Sequence, residues 1–318
     1  MNNSRSVKIV LSLCLIVLLV AGCSRQKQAN HTGKLKVVTT LFPLYDFARN
    51  IGMDSVDVEL ILPPGVEPHS FEPKPESILS VANADIFIYT SSEMEPWAEK
   101  LLDGVVREGK PAVIEAGRRC RYIAAPGSGD ADHHGHDKNT HGARDPHIWL
   151  DIKNAMIMVD NIAEAFAKQA PGKREAFAAN AAAYKKRLQA LEARFDSGLS
   201  ACATRKLIHG GHFAFAYLAD RYNLEYISAY GVSADSEPSP RKIMELVNTV
   251  RQYGLKSVFY EELLSPGVAK AVAGETGATL LKLHGIHNLA LQEFERGATY
   301  TDLMEQNLAA LRKGLECR

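Results

Sequence analysis

Residues 154–199, NAMIMVDNIAEAFAKQAPGKREAFAANAAAYKKRLQALEARFDSGL, are Ala-rich, with apolar and charged residues at helical spacing and no strand signal. Pro171-Gly172 divides the stretch into two helices, 154–168 and 173–199. The second, at roughly 27 residues and 1.5 Å rise, covers about 40 Å, the length of a domain. On either side the pattern changes to alternation. Upstream, strand-like runs at 35–40 (LKVVTT), 56–62 (VDVELIL), 85–90 (DIFIYT) and 111–116 are separated by helical spacing at 42–51, 76–82 and 97–106. Downstream, strands at 206–208, 225–229, 257–261 and 279–283 alternate with helices at 213–222, 241–253, 268–275 and 300–315. Two βα series flanking a helical joint predict an α/β protein of two lobes, each a mainly parallel sheet with helices on its faces. The lobes are expected at 34–152 and 200–318, with linking helices at 153–199.

The first residues set the compartment. Arg5 and Lys8 precede an apolar run, Ile9 to Val20, that fits a signal-peptide core and is short for a membrane span. It ends in Val20-Ala21-Gly22-Cys23, which resembles a bacterial lipobox. Residues 1–22 are therefore expected to be a signal peptide, Cys23 the lipidated first residue, and 23–33 a polar tether. Such a chain is exported and held at a membrane, facing the periplasm or the exterior. The whole chain is 46% hydrophobic and 23% charged, with 37 basic and 37 acidic side chains, so no basic excess points to nucleic acid. Of the five cysteines, Cys14 leaves with the leader. Cys120, Cys202 and Cys317 then remain in an oxidising compartment. Cys202 and Cys317 flank the C-terminal half and could tie its two ends; spacing alone leaves the pairing open.

The eleven histidines are unevenly spread. His133, His134, His136 and His141 fall in a polar, Gly-containing insert at 130–141, the composition of an auxiliary metal-binding tract. The isolated ones fall near strand ends. His69 lies in Pro63–Pro73, PPGVEPHSFEP, a stiff proline-rich loop after a strand. His147 lies in DPHIW, His212 opens a helix after a strand, and His284 and His287 follow the strand at 279–283. Open α/β sheets bind ligands outside the carboxyl ends of their strands. Imidazoles favour zinc, copper, nickel or iron over magnesium, calcium or manganese. Glu67, Glu72, Asp145 and Glu261 are candidates to orient the imidazole N–H groups.

At these residues the chain resembles the zinc/manganese solute-binding proteins of bacterial ABC transporters. The likeness runs in order through LFPLYDFA, GVEPHSFEP, the His-rich insert, DPHIWLD, GGHFAFAYLADRYNL and VFYEELLSPGVAKAVAGETG. It implies two α/β lobes joined by a long rigid helix, with metal held in the cleft between them. It implies His69 and His147 as ligands from the first lobe and His212 from the second. Manganese-selective members commonly carry Glu at the His212 position, so histidine here and the His-rich insert imply Zn2+ as the transported ion, ahead of Mn2+, Ni, Cu or Fe. The chain departs from the pattern after the last strand, where an Asp is usual and LHGIHNL stands instead. The fourth ligand is expected to be His287 or His284, with His287 favoured, or, if neither reaches the metal, water or a carboxylate such as Glu261. The implied partner is a membrane permease, the implied state a monomer, and the implied role capture and delivery without catalysis. A three-His zinc hydrolase and an adhesion lipoprotein are the alternatives; neither an HExxH helix nor a GxSxG elbow occurs.

Overall fold

The computed structural model describes residues 33–126, 144–232 and 237–318. The leader, Cys23, the tether up to Thr32 and the histidines of the 130–141 insert lie outside the described residues. Among the described residues no helix is long and apolar enough to cross a membrane.

The first lobe carries β1 (Leu35–Thr39), α1 (Phe42–Gly52), β2 (Val56–Leu60), α2 (Pro75–Ala82), β3 (Ile86–Tyr89), α3 (Pro96–Val105) and β4 (Ala112–Glu115). The second carries β5 (Lys206–His209), α6 (Ala216–Arg221), β6 (Glu225–Ser228), α7 (Pro240–Tyr253), β7 (Ser257–Glu261), α8 (Gly267–Thr276), β8 (Thr279–Leu283), α9 (Leu291–Glu295) and α10 (Tyr300–Gly314), if the two linking helices are counted between α3 and α6 as α4 (Ile152–Gln169) and α5 (Arg174–Gly198). All pairings between strands are parallel. The sheet orders are β2-β1-β3-β4 and β6-β5-β7-β8, the same permutation twice. In each, β1 or β5 has its successor on one side and the next strand on the other. That reversal opens a crevice at the carboxyl ends of the strands.

Local chemistry explains most boundaries. Strand β2 stops at Leu60, two residues short of the run expected from sequence, because Pro63-Pro64 follow and supply no N–H to a ladder. The helix expected at 213–222 begins only at Ala216. Its first residues are drawn off by other bonds: Phe213 N donates to Gly231 O (2.8 Å) and Ala214 N to His212 O (2.9 Å). The short α9 was not expected from periodicity; its start is set by Glu293, whose carboxylate accepts from Ala290 N (3.2 Å).

Helix α5 buries Phe177, Ala181, Tyr184, Leu188, Leu191 and Phe195, alternately four and three residues apart, so one stripe runs its length. Its 25 residues span about 37 Å. That stripe packs on α1 of the first lobe and α10 of the second. Tyr184 Oη donates to buried Asp46 Oδ2 (2.7 Å), Asn180 Nδ2 donates to Ile51 O (2.9 Å), and Arg194 pairs with Glu305. One apolar core therefore continues from β1 through α5 to α10, while Ile208, Leu246, Val250 and Val272 form a separate cluster beneath α7 and α8. Direct bonds also cross between lobes: Trp149 Nε1 to Gly285 O (2.8 Å), Tyr300 Oη to Trp149 O (2.6 Å) and Tyr217 Oη to Asp145 O (2.7 Å). Cys202 and Cys317 are joined by a disulfide, and Arg318 N donates to Ala201 O (3.0 Å) beside it. Cys120 is free, its thiol pushed up to about 12 by burial.

Candidate metal centre

Three imidazoles converge where the two crevices face each other. His69 comes from the loop after β2, His147 from the turn before α4, and His212 from the turn after β5. Nε2 of His69 and Nε2 of His212 each lie 3.2 Å from Nε2 of His147, and ligand nitrogens of all three fall within 4.8 Å of one another. His147 and His212 are buried; His69 is half-buried, with a cavity of about 520 Å3 on its outer side bounded by Phe71, Trp97, Lys100 and Glu72. Two zinc-bound nitrogens at 2.0–2.1 Å in tetrahedral geometry stand about 3.3–3.4 Å apart. The observed spacing matches that edge, and an all-nitrogen donor set suits zinc.

Carboxylates stand behind two of the rings. Asp145 Oδ1 accepts from His147 N (2.9 Å) and lies 3.0 Å from His147 Nδ1. Glu261, at the end of β7, accepts from His212 N through Oε1 (2.7 Å) and places Oε2 2.5 Å from His212 Nδ1. Each carboxylate thus turns the other ring nitrogen, Nε2, toward the centre. Burial pushes Asp145 up to about 7. Burial pushes Glu261 the same way, but His212 and His209 outweigh it and hold Glu261 at about 2. His147 is driven well below the ordinary imidazole range by burial and by the charge on His212. His212 is pulled down by burial, yet Glu261, Glu67 and Glu262 together raise it above 6.5. Glycine at 211 permits the close approach: a Cβ there would lie 2.1 Å from Glu261 Oε1.

The other expected carboxylates do different work. Glu67 accepts from Ser70 N (3.1 Å) and Ser70 Oγ (3.3 Å), and so shapes the His69 loop. Glu72 is exposed on the outer wall of that loop.

The two histidines of LHGIHNL part company. His284 is held between carboxylates, Nδ1 3.0 Å from Glu262 and Nε2 3.2 Å from Glu293, and both ring nitrogens are spent away from the centre. His287 is buried with its ring 5.7 Å from that of His212, edge to face. It stands just outside the close group of three, and its Nδ1 is buried with no hydrogen-bond partner. Burial and the charge on His212 drive His287 well below the ordinary imidazole range. Sequence reasoning did not find Glu262, Glu293 or Asn307, which lock His284 in place. Nor did it assign a part to His209, buried behind His212 with Nδ1 3.2 Å from His212 O and lowered to about 4 by burial.

The sequence model of the family described as zinc-uptake complex component A, periplasmic (ZnuA), matches residues 37–314. The chain belongs to this family. Among ZnuA relatives, the high-affinity zinc uptake system protein ZnuA of Bacillus subtilis is 34% identical over 311 residues, covering 96% of both chains. The zinc-binding lipoprotein AdcA of Streptococcus pneumoniae is 34% identical over 305 residues, but this chain spans only 60% of its length. The Zn(II)-bound ZnuA-like domain of that AdcA superposes with a TM-score of 0.75 at 32% identity, over 89% of this chain and all of that domain. The laminin-binding protein of Streptococcus agalactiae, described as bifunctional with adhesin and metal transporting activity, has a TM-score of 0.75 at 27% identity, over 88% of this chain and 99% of that one. The family is described as a component of a zinc-uptake complex, a transport role. The two-lobed α/β architecture expected from sequence is that of these relatives.

Proposed function

We propose that this protein captures Zn2+ outside the cytoplasm and delivers it to the membrane permease of an ABC importer. His69, His147 and His212 hold the ion through Nε2, and His287 closes the shell. The observation that carries the reading is the 3.2 Å approach of His147 Nε2 to Nε2 of His69 and to Nε2 of His212, atoms drawn from both lobes. Membership in a zinc-uptake family and zinc-binding relatives support it. The lobes at 34–152 and 200–318 act as the two jaws of the site, with 153–199 as the strut between them. Export through residues 1–22, anchoring at Cys23, a monomeric state and an auxiliary role for His133, His134, His136 and His141 belong to the same reading. Capture is favoured over hydrolysis because Asp145 and Glu261 are both engaged with imidazole and backbone N–H groups, which leaves neither in the posture of a base for water. Calorimetry with Zn2+ and Mn2+ on the mature chain, alongside His212→Ala, tests it. One tightly bound zinc per chain that is lost in the variant is expected. Equal zinc affinity in the variant, or a preference for Mn2+, would refute the assignment.

A further inference from the structure

We infer that Asn288 sets the separation between His69 and His287, ligands from opposite lobes, and so helps the site discriminate for a tetrahedral ion. The inference rests on the ligand assignment proposed above. Asn288 is completely buried. Its Nδ2 donates to Pro63 O (2.7 Å) and to Val66 O (2.8 Å), and its Oδ1 accepts from Leu289 N (2.8 Å). Both amide hydrogens therefore go to the opposite lobe. Backbone bonds flank this tie: Gly65 N donates to Leu289 O (2.7 Å), and Phe42 N donates to His287 O (3.1 Å).

The two anchored carbonyls belong to the root of the His69 loop. Val66 N donates to Pro63 O (3.2 Å), and Gly65 takes φ of +83°, so residues 63–66 form a closed turn. After Ile61, whose N–H still reaches Thr39 O (2.9 Å), the segment has no strand partner, and the two prolines offer no donor. Asn288 and Leu289 hold that turn from the other lobe. His287 is one residue from Asn288, and His69 is three residues beyond Val66. One side-chain amide thus joins the roots of two ligands.

The chemistry is specific to asparagine. Aspartate has the same shape but would set carboxylate oxygens against two carbonyls, and alanine would strip Val66 O of the amide donor and leave Pro63 O with Val66 N alone. A loosened root would let His69 drift from a tetrahedral edge and admit ions that accept other coordination numbers. Residues that orient metal ligands from behind typically change affinity ~10–100-fold when replaced.

The test uses the mature chain with Asn288→Asp and Asn288→Ala, each loaded with Co2+ for its visible absorption and titrated with Zn2+ in competition with Ni2+. Both variants are expected to lose the intense tetrahedral Co2+ bands, to bind zinc ~10–100-fold more weakly, and to show a smaller preference for zinc over nickel. His69→Ala and His287→Ala run in parallel. If those two bind zinc like the parent, the ligand assignment fails and this inference with it. If they weaken binding while both Asn288 variants keep the parent spectrum and affinity, the role of Asn288 alone is overturned. Should both Asn288 variants fail to fold, exchange of the Asn288 side-chain amide protons in the metal-free parent decides. Protection equal to that of core strand amides supports the tie, and exchange at the rate of an exposed side-chain amide overturns it.

Discussion

Replacing Glu261 by glutamine separates two contributions that this carboxylate makes to the centre. Glutamine keeps an oxygen to accept from His212 N, now 2.7 Å from Oε1, but removes the charge 2.5 Å from His212 Nδ1. Glu261 is held at about 2 instead of the usual 4.5, against the burial that would raise it. That depression corresponds to about 3 kcal/mol in the metal-free protein, most of it from the pair with His212. A depressed carboxylate stabilises the fold above its unfolded pKa, and that contribution is lost as pH falls toward 2. The raised imidazole stabilises below its unfolded value, and that contribution is lost as pH rises through its folded pKa. The pair is therefore worth most between the two, near pH 5 to 6. Metal-free Glu261→Gln should lose about 3 kcal/mol in urea melts at about pH 6 and less at about pH 8. For zinc the order reverses. At about pH 8 the variant should bind ~10–100-fold more weakly, because His212 loses the acceptor that makes it a stronger donor to metal. At about pH 6 the deficit should narrow, because the parent must now expel a proton that Glu261 held on His212. A chromogenic chelator competition at both pH values measures the ratio. A deficit that widens toward acid, or unchanged stability of the metal-free variant at about pH 6, would refute the reasoning.

His284→Ala and His287→Ala should behave oppositely. The first leaves Glu262 and Glu293 facing a buried gap and should cost about 3–5 kcal/mol in urea while one zinc still binds; the second should weaken zinc by more than the ~10–100-fold typical of an outer partner, with a smaller effect on stability. Tyr184→Phe removes the hydrogen bond to Asp46, a carboxyl already raised by burial, and should cost about 1–3 kcal/mol by denaturant titration with zinc affinity unchanged, since it acts on the strut and not on the site.

The lobes were legible because parallel strands buried on both faces read as short apolar runs, and because the Ala-rich joint lacks any strand signal. Strands 257–261 and 279–283 fall where expected to the residue. The helix at 213–222 was misjudged at its start because Phe213 and Ala214 are apolar at helical spacing, yet their N–H groups are taken by Gly231 and His212. That competition is tertiary and leaves no periodic trace. His69 and His212 were legible from their positions after strands, and the family resemblance singled them out together with His147, which follows no strand. The choice between His284 and His287 was not, since both follow β8 and only the carboxylates Glu262 and Glu293, 22 residues and 9 residues away in sequence, show which ring is already occupied. Asn288 was silent for the same reason: its partners lie more than 220 residues upstream, with separations of 225 and 222.

The two carboxylates behind the imidazoles have opposite resting states, and this predicts how the centre absorbs a divalent charge. Near pH 6 the metal-free site holds a proton on His212, paired with ionised Glu261, and a proton on Asp145, whose pKa burial raises to about 7. His147 and His287 are neutral there, kept so by burial. Zinc must displace the proton on His212 in order to bind its Nε2 lone pair with Nδ1–H turned to Glu261. Its charge also favours ionised Asp145 behind His147. Protons leaving His212 and Asp145 offset part of the arriving divalent charge and so reduce the cost of an uncompensated one in the buried centre. Calorimetry in buffers of different ionisation enthalpy counts those protons. Release per zinc should be larger near pH 6 than at alkaline pH, and affinity should drop with acid accordingly. Asp145→Asn should cut the release at about pH 6 by up to about one proton. Release that does not change with pH, or an unchanged count in Asp145→Asn, would show that the charge is balanced elsewhere.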